Sequence, residues 1–144
     1  ILEAFPDTAR LVVVTGEGQR PLAAGLLLGY RDRLEIPWAS SLRQYNHLQS
    51  NMWLYWNCLQ YACEQGYGRF DFGRCTVGEA TFKFKEQWGA RPVPHYWHYH
   101  LAEGKQFPGR NPHNPKFHLA TSLWQKLPLR VANLIGPAIV KHLP

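Results

Sequence analysis

What the sequence lacks sets the first limits. The 144 residues hold only three cysteines and one methionine. No CxxC pair occurs, and an odd number of thiols does not build a disulfide framework. Cys58 and Cys63 fall in an apolar helical pattern, where a free cysteine packs as a small hydrophobe, so a reducing, cytosolic setting is expected. No apolar run reaches the roughly 18–20 residues of a membrane span, and Leu11–Val14 and Leu22–Leu28 are strand-length. The opening ILEAFPDTARL has acids and a proline but no basic n-region, so no signal peptide is read there. It also has no initiator Met, and the chain is expected to be a processed or truncated piece of something longer. Walker A and GxGxxG patterns are absent. Acids are missing from one stretch. Residues 1–104 balance ten basic against ten acidic side chains, whereas Lys105, Arg110, Lys116, Lys126, Arg130 and Lys141 follow with no Asp or Glu among them. The net charge of +6 therefore sits in the last forty residues. Such a field attracts phosphates, nucleic acid or anionic lipid; the alternative is a solvated basic tail.

Apolar residues make up 45% and aromatics 14%, with six Trp, which excludes a disordered chain. One domain of this length buries a core without staples. Leu11–Thr15, Pro21–Tyr30 and Arg33–Ala39 read as three strands of an antiparallel meander, with turns at Gly16–Gln19 and Arg31-Asp32. The period then changes. Ser50-Asn51 offers an N-cap for a helix over about Asn51–Gln65, with Met52, Tyr55, Trp56, Leu59, Ala62 and Cys63 on one face and Gly66 as its stop. Arg69–Phe72 reads as a short strand and Gly73–Val77 as a loop. Glu79–Trp88 reads either as a helix or as an irregular segment in which Phe82 and Phe84 alternate with Lys83 and Lys85. Pro92–Leu101 is expected to be a strand, Glu103–Pro115 a loop, and Phe117–Lys126 and Arg130–His142 two short helices split by Pro128. The order β-β-β-α-β-(α)-β with a helical tail implies a mixed α/β sheet. The expected organisation is one domain over 1–101, followed by a Pro/Gly-rich loop and basic helical tail over 102–144.

Three constellations could carry chemistry. In a strand, His98 and His100 would share one face and His95 would take the other; two imidazoles could begin a metal site, but no third ligand follows at motif spacing. Cys75 lies in a polar loop beside Arg74, which favours thiolate, but no nucleophile-elbow pattern surrounds it. The densest stretch is GYGRFDFGRCTVGEATFKFKEQWGA at 66–90. Asp71, between two Phe at a strand end, needs a partner such as Arg74 or Lys85. If 82–85 is extended, Lys83 and Lys85 share a face and could contact a phosphate. Each of these has a plain alternative: exposed histidines, an ordinary loop thiol, a structural ion pair, solvated lysines.

Taken together, IPWASSLRQYNHLQSN at 36–51, LYW at 54–56, GYGRFDFGR at 66–74 and FKFKEQWGA at 82–90 resemble the FemAB-like branch of the GNAT acyltransferase superfamily. The nearest likeness is to the FemAB-like proteins of exosortase/PEP-CTERM and exopolysaccharide gene clusters, which the tail segments LWQKLPLR and GPAIVKHLP also resemble. The resemblance covers residues 10–100 and implies an α/β (α+β) GNAT-like fold, a mixed and mostly antiparallel sheet flanked by helices. Family members usually carry two such domains in tandem, so this chain resembles the C-terminal one, with an N-terminal GNAT-like partner domain expected. The implied activity is transfer of an acyl or aminoacyl group from acyl-CoA or aminoacyl-tRNA to an amine, in cell-envelope or exopolysaccharide synthesis, with no tightly bound cofactor. Carried over by position, the FK-x-x-[FW]-G lysine is Lys85, near donor phosphate or developing negative charge. Asp71 takes orientation or proton acceptance, and Arg74 anion binding. Gln49-Ser50-Asn51 occupies the strand-to-helix junction where ordinary GNAT enzymes cradle the coenzyme A pyrophosphate, although their glycine-rich loop is absent. Tyr45 and Tyr55 become pocket residues. A non-catalytic module that binds tRNA, a polyanionic saccharide or the inner membrane surface through the basic tail is the alternative.

Overall fold

A computed structural model describes residues 1–96, 98–101, 104 and 121–140. The chain divides into two compact units, Ile1–Val93 and Pro94–Pro144.

The first unit is one four-stranded sheet with helices. Strands β1 (Ala9–Thr15), β2 (Pro21–Tyr30) and β3 (Arg33–Ser41) form the antiparallel meander, and β4 (Arg69–Asp71) adds in parallel beside β3. The crossover between β3 and β4 is α1 (Ser50–Glu64), and α2 (Ala80–Gln87) follows β4. Parallel neighbours need such a crossover, and the switch from period 2 to period 3.6 after residue 41 supplies it. The Arg31-Asp32 turn fixes where β4 begins: the Asp32 carbonyl accepts from the Arg69 N–H at 3.1 Å, and its carboxylate accepts from Arg69 Nε at 3.1 Å.

The core lies between the sheet and α1. Leu27, Leu34, Ile36, Leu54 and Cys58 are fully buried, joined by Ala23, Tyr55 and Ala62. Val12 and Val14 of β1, and Phe70 and Phe72 at β4, pack against this cluster. Gly25 lies beneath α1, where an added Cβ would meet Ile36 Cδ1 at 2.8 Å and Leu54 Cδ2 at 3.5 Å. The missing side chain lets helix and sheet close up. On the opposite face of the sheet, Leu11, Val13 and Trp38 are exposed.

Several expectations are corrected. The buried face of α1 is Leu54, Tyr55, Cys58 and Ala62, whereas Trp56 and Cys63 are exposed. The expected stripe lies about one residue too far round, taking in Trp56, a bulky apolar ring at the helix flank, in place of Leu54 and Cys58. No side chain caps α1. Its N-cap is Gln49, in the left-handed region at φ 53°. Residues 80–87 are helical, so Lys83 and Lys85 stand about 200° apart and share no face. No strand forms among the described residues of 92–101, which removes the alternating placement of His95, His98 and His100. Aromatic and imidazole side chains favour strands only where a partner edge receives them. In the second unit, residues 121–125 are helical and α3 (Leu129–Val140) follows Pro128. Most of the expected loop at 103–115 lies outside the described residues, as do 117–120 and 141–142 of the expected helices.

Burial separates the three thiols. Cys63 and Cys75 are exposed, and burial pushes the Cys58 thiol up to about 11. In the native protein two thiols are expected to react promptly with an aromatic disulfide reagent at pH 8, the third only on denaturation. The Tyr55 phenol is also raised, first by burial and then by neighbouring Cys58. Both groups hold their protons more tightly when folded, so their contribution is fully present below the unfolded pKa, near 9 for the thiol, and is lost as pH rises towards 11. The unfolding midpoint is expected to fall across that window, and to fall less steeply in Cys58→Ala.

Candidate active site

The site begins where β3 and β4 part. They pair only along Arg33–Glu35 with Arg69–Asp71, yet β3 runs on to Ser41. Two local features end the pairing. In β3, Ile36 and Pro37 together oppose the single residue Leu27, because Leu28 pairs with Glu35 while Leu26 pairs with Trp38. This is a bulge, and Pro37 has no N–H to donate to a ladder. Just past β4, Gly73 takes φ 70° and turns away from the sheet. A Cβ there would lie 3.2 Å from the Ile36 carbonyl oxygen. Only glycine combines that dihedral with that approach.

Asp71 and Lys85 fix the turn. Asp71 Oδ1 accepts from the Gly73 N–H at 2.8 Å, an Asx-type closure two residues on. Asp71 Oδ2 lies 3.5 Å from Arg33 Nη1, an open ion pair of small energetic weight. Lys85 Nζ donates to the Gly73 carbonyl at 2.8 Å and the Arg74 carbonyl at 2.9 Å. An ammonium has three donors, and two are committed to this loop. The aromatic residues between these polar groups fix α2 against α1. Phe72 stacks on Tyr55 with ring centroids 5.7 Å apart, and Phe84 meets Tyr55 edge-on at 4.9 Å.

Beside this loop, a cleft of about 400 Å³ is lined by Ser41 at the end of β3, Asn46, Gln49, Ser50, Asn51 and Met52 at the start of α1, and Phe84 and Gln87 of α2. Helix α1 opens onto it with no side-chain cap and no acid in its first turn. The first-turn N–H groups of a helix have no intrahelical acceptor, and they carry the positive end of its dipole. Ser50 Oγ is buried there without a hydrogen-bond partner. An uncapped helix start with an unsatisfied hydroxyl fits an anionic ligand such as a diphosphate. A second cleft of about 310 Å³ shares Gln49 and Met52 and is walled by Leu48, Trp53, Trp56 and Trp88.

The expected residues therefore separate into groups. Asp71, Arg74 and Lys85 meet at the β4–α2 loop, with Arg74 contributing its carbonyl and its side chain exposed. Asn51 lines the larger cleft. Tyr55 is buried in the core beneath it. The Tyr45 hydroxyl accepts from Arg20 Nη1 at 2.5 Å, and Tyr45 lines neither cleft. Reasoning from sequence named the Gln49-Ser50-Asn51 junction but missed Gly73, Arg33, Ser41, Asn46, Met52 and Gln87. The Asp-x-Gly spacing of Asp71 and Gly73 was the one local signal available; the rest are brought in by distant elements. No group of three metal-ligating side chains occurs among the described residues. Lys85→Met keeps the aliphatic stem and deletes both loop bonds. It is expected to cost about 1–3 kcal/mol in denaturant unfolding, as charged hydrogen bonds do.

The profile of the Acetyltransferase (GNAT) domain matches residues 1–86, more than half of the chain. No curated protein matches the sequence. Among solved structures, a protein of Pyrococcus furiosus described as a "putative acetyl transferase" is similar with a TM-score of 0.58 at 14% identity, over 69% of this chain and 72% of that one. A tetramutant of the BH1408 protein of Bacillus halodurans gives 0.57 at 9% identity, over 69% and 70%. A structure described as a "probable acetyltransferase" gives 0.56 at 15% identity, over 73% and 76%. At these identities the structural likeness concerns the fold, and it agrees with the sheet order and helices described above. With the family profile matched over more than half of its length, the chain belongs to the GNAT acetyltransferase family.

Proposed function

We propose that this domain transfers an acyl group from acyl-CoA to an amine through the opening between β3 and β4, as part of cell-envelope or exopolysaccharide synthesis. Membership of the family supplies the general reaction, an acyl donor and an acceptor amine. The observation that carries the donor reading is the uncapped, acid-free start of α1 on the 400 Å³ cleft, with Ser50 Oγ unsatisfied beside it. A diphosphate fits those donors. The β3 edge beyond Pro37 has no parallel partner among the described residues, which leaves backbone donors and acceptors for an extended amide-bearing arm. The FemAB-like motifs GYGRFDFGR and FKFKEQWGA favour the envelope role, and with it an N-terminal partner domain. They also keep aminoacyl-tRNA as the competing donor.

In this reading the acceptor nitrogen attacks the thioester carbonyl. The C–N bond forms, the oxyanion collapses, the C–S bond breaks, and the proton lost by the amine ends on the thiol. Lys85 places positive charge next to the Gly73–Arg74 backbone, where it favours developing negative charge. Asp71 orients the same loop through the Gly73 N–H, and Arg74 offers an exposed guanidinium to donor phosphate.

The test is a calorimetric titration of the protein with acetyl-CoA, repeated on Asn51→Asp. A new acid in the first turn complements the helix dipole, so the variant is expected to unfold at a slightly higher temperature. The same charge repels phosphate, and affinity is expected to fall about tenfold, a change of about 1.4 kcal/mol. No saturable binding by the parent protein would set the acyl-CoA donor aside in favour of aminoacyl-tRNA. Unchanged affinity in the variant would remove the α1 start from the phosphate site.

A further inference from the structure

The Pro94–Pro144 unit combines two features that the transferase reading does not use. By sequence, it holds the six basic residues from Lys105 onward and no acid after Glu103. It also contains α3, the most apolar of the three named helices, and none of the twelve residues of α3 is buried. Leu129 and Leu134 are 75% and 80% exposed, and Val131, Ile135, Ile139 and Val140 are exposed as well. Just before it, Leu123, Trp124 and Leu127 are exposed.

The polar side of the helix is narrow. At about 100° per residue, Arg130, Asn133 and Pro137 fall on one arc, flanked by Leu129, Leu134 and Val140, and Val131, Ile135, Ala138 and Ile139 form the broad apolar side opposite. Pro137 has no N–H, so the Asn133 carbonyl four residues earlier loses its helical donor. That freed acceptor lies on the polar arc, which marks the arc as the face turned to water. Twelve residues of helix extend about 18 Å, short of the roughly 30 Å of bilayer hydrocarbon, so α3 cannot span. A helix of this kind lies in the plane of an interface, with its apolar stripe in the acyl boundary and cations among the headgroups. Indole rings settle at the same depth.

Charge selects the occupant. A second copy of the unit would bring two acid-free basic faces together. A nucleic acid would engage Lys126 and Arg130 but leave the apolar stripe in water. An anionic lipid surface satisfies both. We infer that the 121–140 segment seats on an anionic bilayer surface, with Val131, Ile135 and Ile139 in the acyl boundary and Lys126 and Arg130 at the lipid phosphates. This inference stands independently of the acyltransferase reading.

Co-sedimentation of the whole chain with phosphatidylcholine vesicles, with and without phosphatidylglycerol, tests it. Binding is expected only to the anionic vesicles and to weaken steeply with added salt. Lys126→Gln and Arg130→Gln are each expected to lower it about fivefold, and Ile135→Asp/Ile139→Asp to abolish it. Far-UV circular dichroism and the unfolding midpoint of each variant report the fold. Absence of binding by the parent chain to anionic vesicles would overturn the inference, whatever the variants do. So would equal binding to neutral vesicles, concentration-dependent dimerisation lost in Ile135→Asp/Ile139→Asp, or binding to RNA with none to vesicles. The acetyl-CoA titration is expected to be unchanged in all these variants, so failure here and failure of the transferase reading are separable.

Discussion

Two adjacent parallel strands that stop pairing partway leave backbone groups unsatisfied, and a protein keeps such a gap only where something holds it open. Here the opening lies beyond Glu35 and Asp71. On one side, Pro37 and the bulge it shares with Ile36 withdraw β3 from further pairing. On the other, Gly73 brings its backbone against the Ile36 carbonyl and turns away. Asp71 and Lys85 then lock that turn through one N–H and two carbonyls. The start of α1, the larger cleft and the placement of α2 all follow from the strands diverging at this point.

The same geometry gives the polar residues two kinds of work. Lys85 and Asp71 bond to backbone and hold the loop between β4 and α2. The start of α1 faces the cleft directly, and its donors are fixed before any ligand arrives. Most of the rigidity comes from apolar contacts. The ring contacts of Tyr55 with Phe72 and Phe84 tie α1, the end of β4 and α2 together, and the fully buried Leu54 and Cys58 seat α1 on the sheet. The second unit has no such core in its described helix, where every apolar side chain of α3 retains exposure.

Sequence and structure agree wherever the signal is local. The three meander strands were legible because period-2 apolar runs are bounded by turn residues. The observed β2 spans the predicted Pro21–Tyr30. Helix α1 was legible from its period and its Gly66 stop, and the GNAT fold from paired motifs on either side of it. The face of α1 differs from the expected stripe because Trp56 is bulky and apolar yet sits beside the contact rather than within it, while Leu54 and Cys58 fill the contact. The 92–101 stretch reads as a strand by propensity, but propensity carries no information about whether a partner edge exists.

The sequence by itself determined the three meander strands, α1 and β4, their order, the GNAT fold, and the asymmetry of charge between the two ends. These depend on neighbours along the chain, on the repeat period and on composition. Only the tertiary structure decided that Lys85 reaches the Gly73 and Arg74 carbonyls, that Asp71 closes on Gly73 while lying near Arg33, and that Gln49, Ser41 and Gln87 line one cleft. Lys85 is twelve residues from Gly73, and Arg33 is thirty-eight from Asp71. Their meeting is fixed by the parallel register of β3 on β4 and by the aromatic packing of α2 on α1. Arg33 and Asp71 share no short window, and the 66–90 stretch that holds Gly73, Arg74 and Lys85 carries no local mark of which of its groups meet.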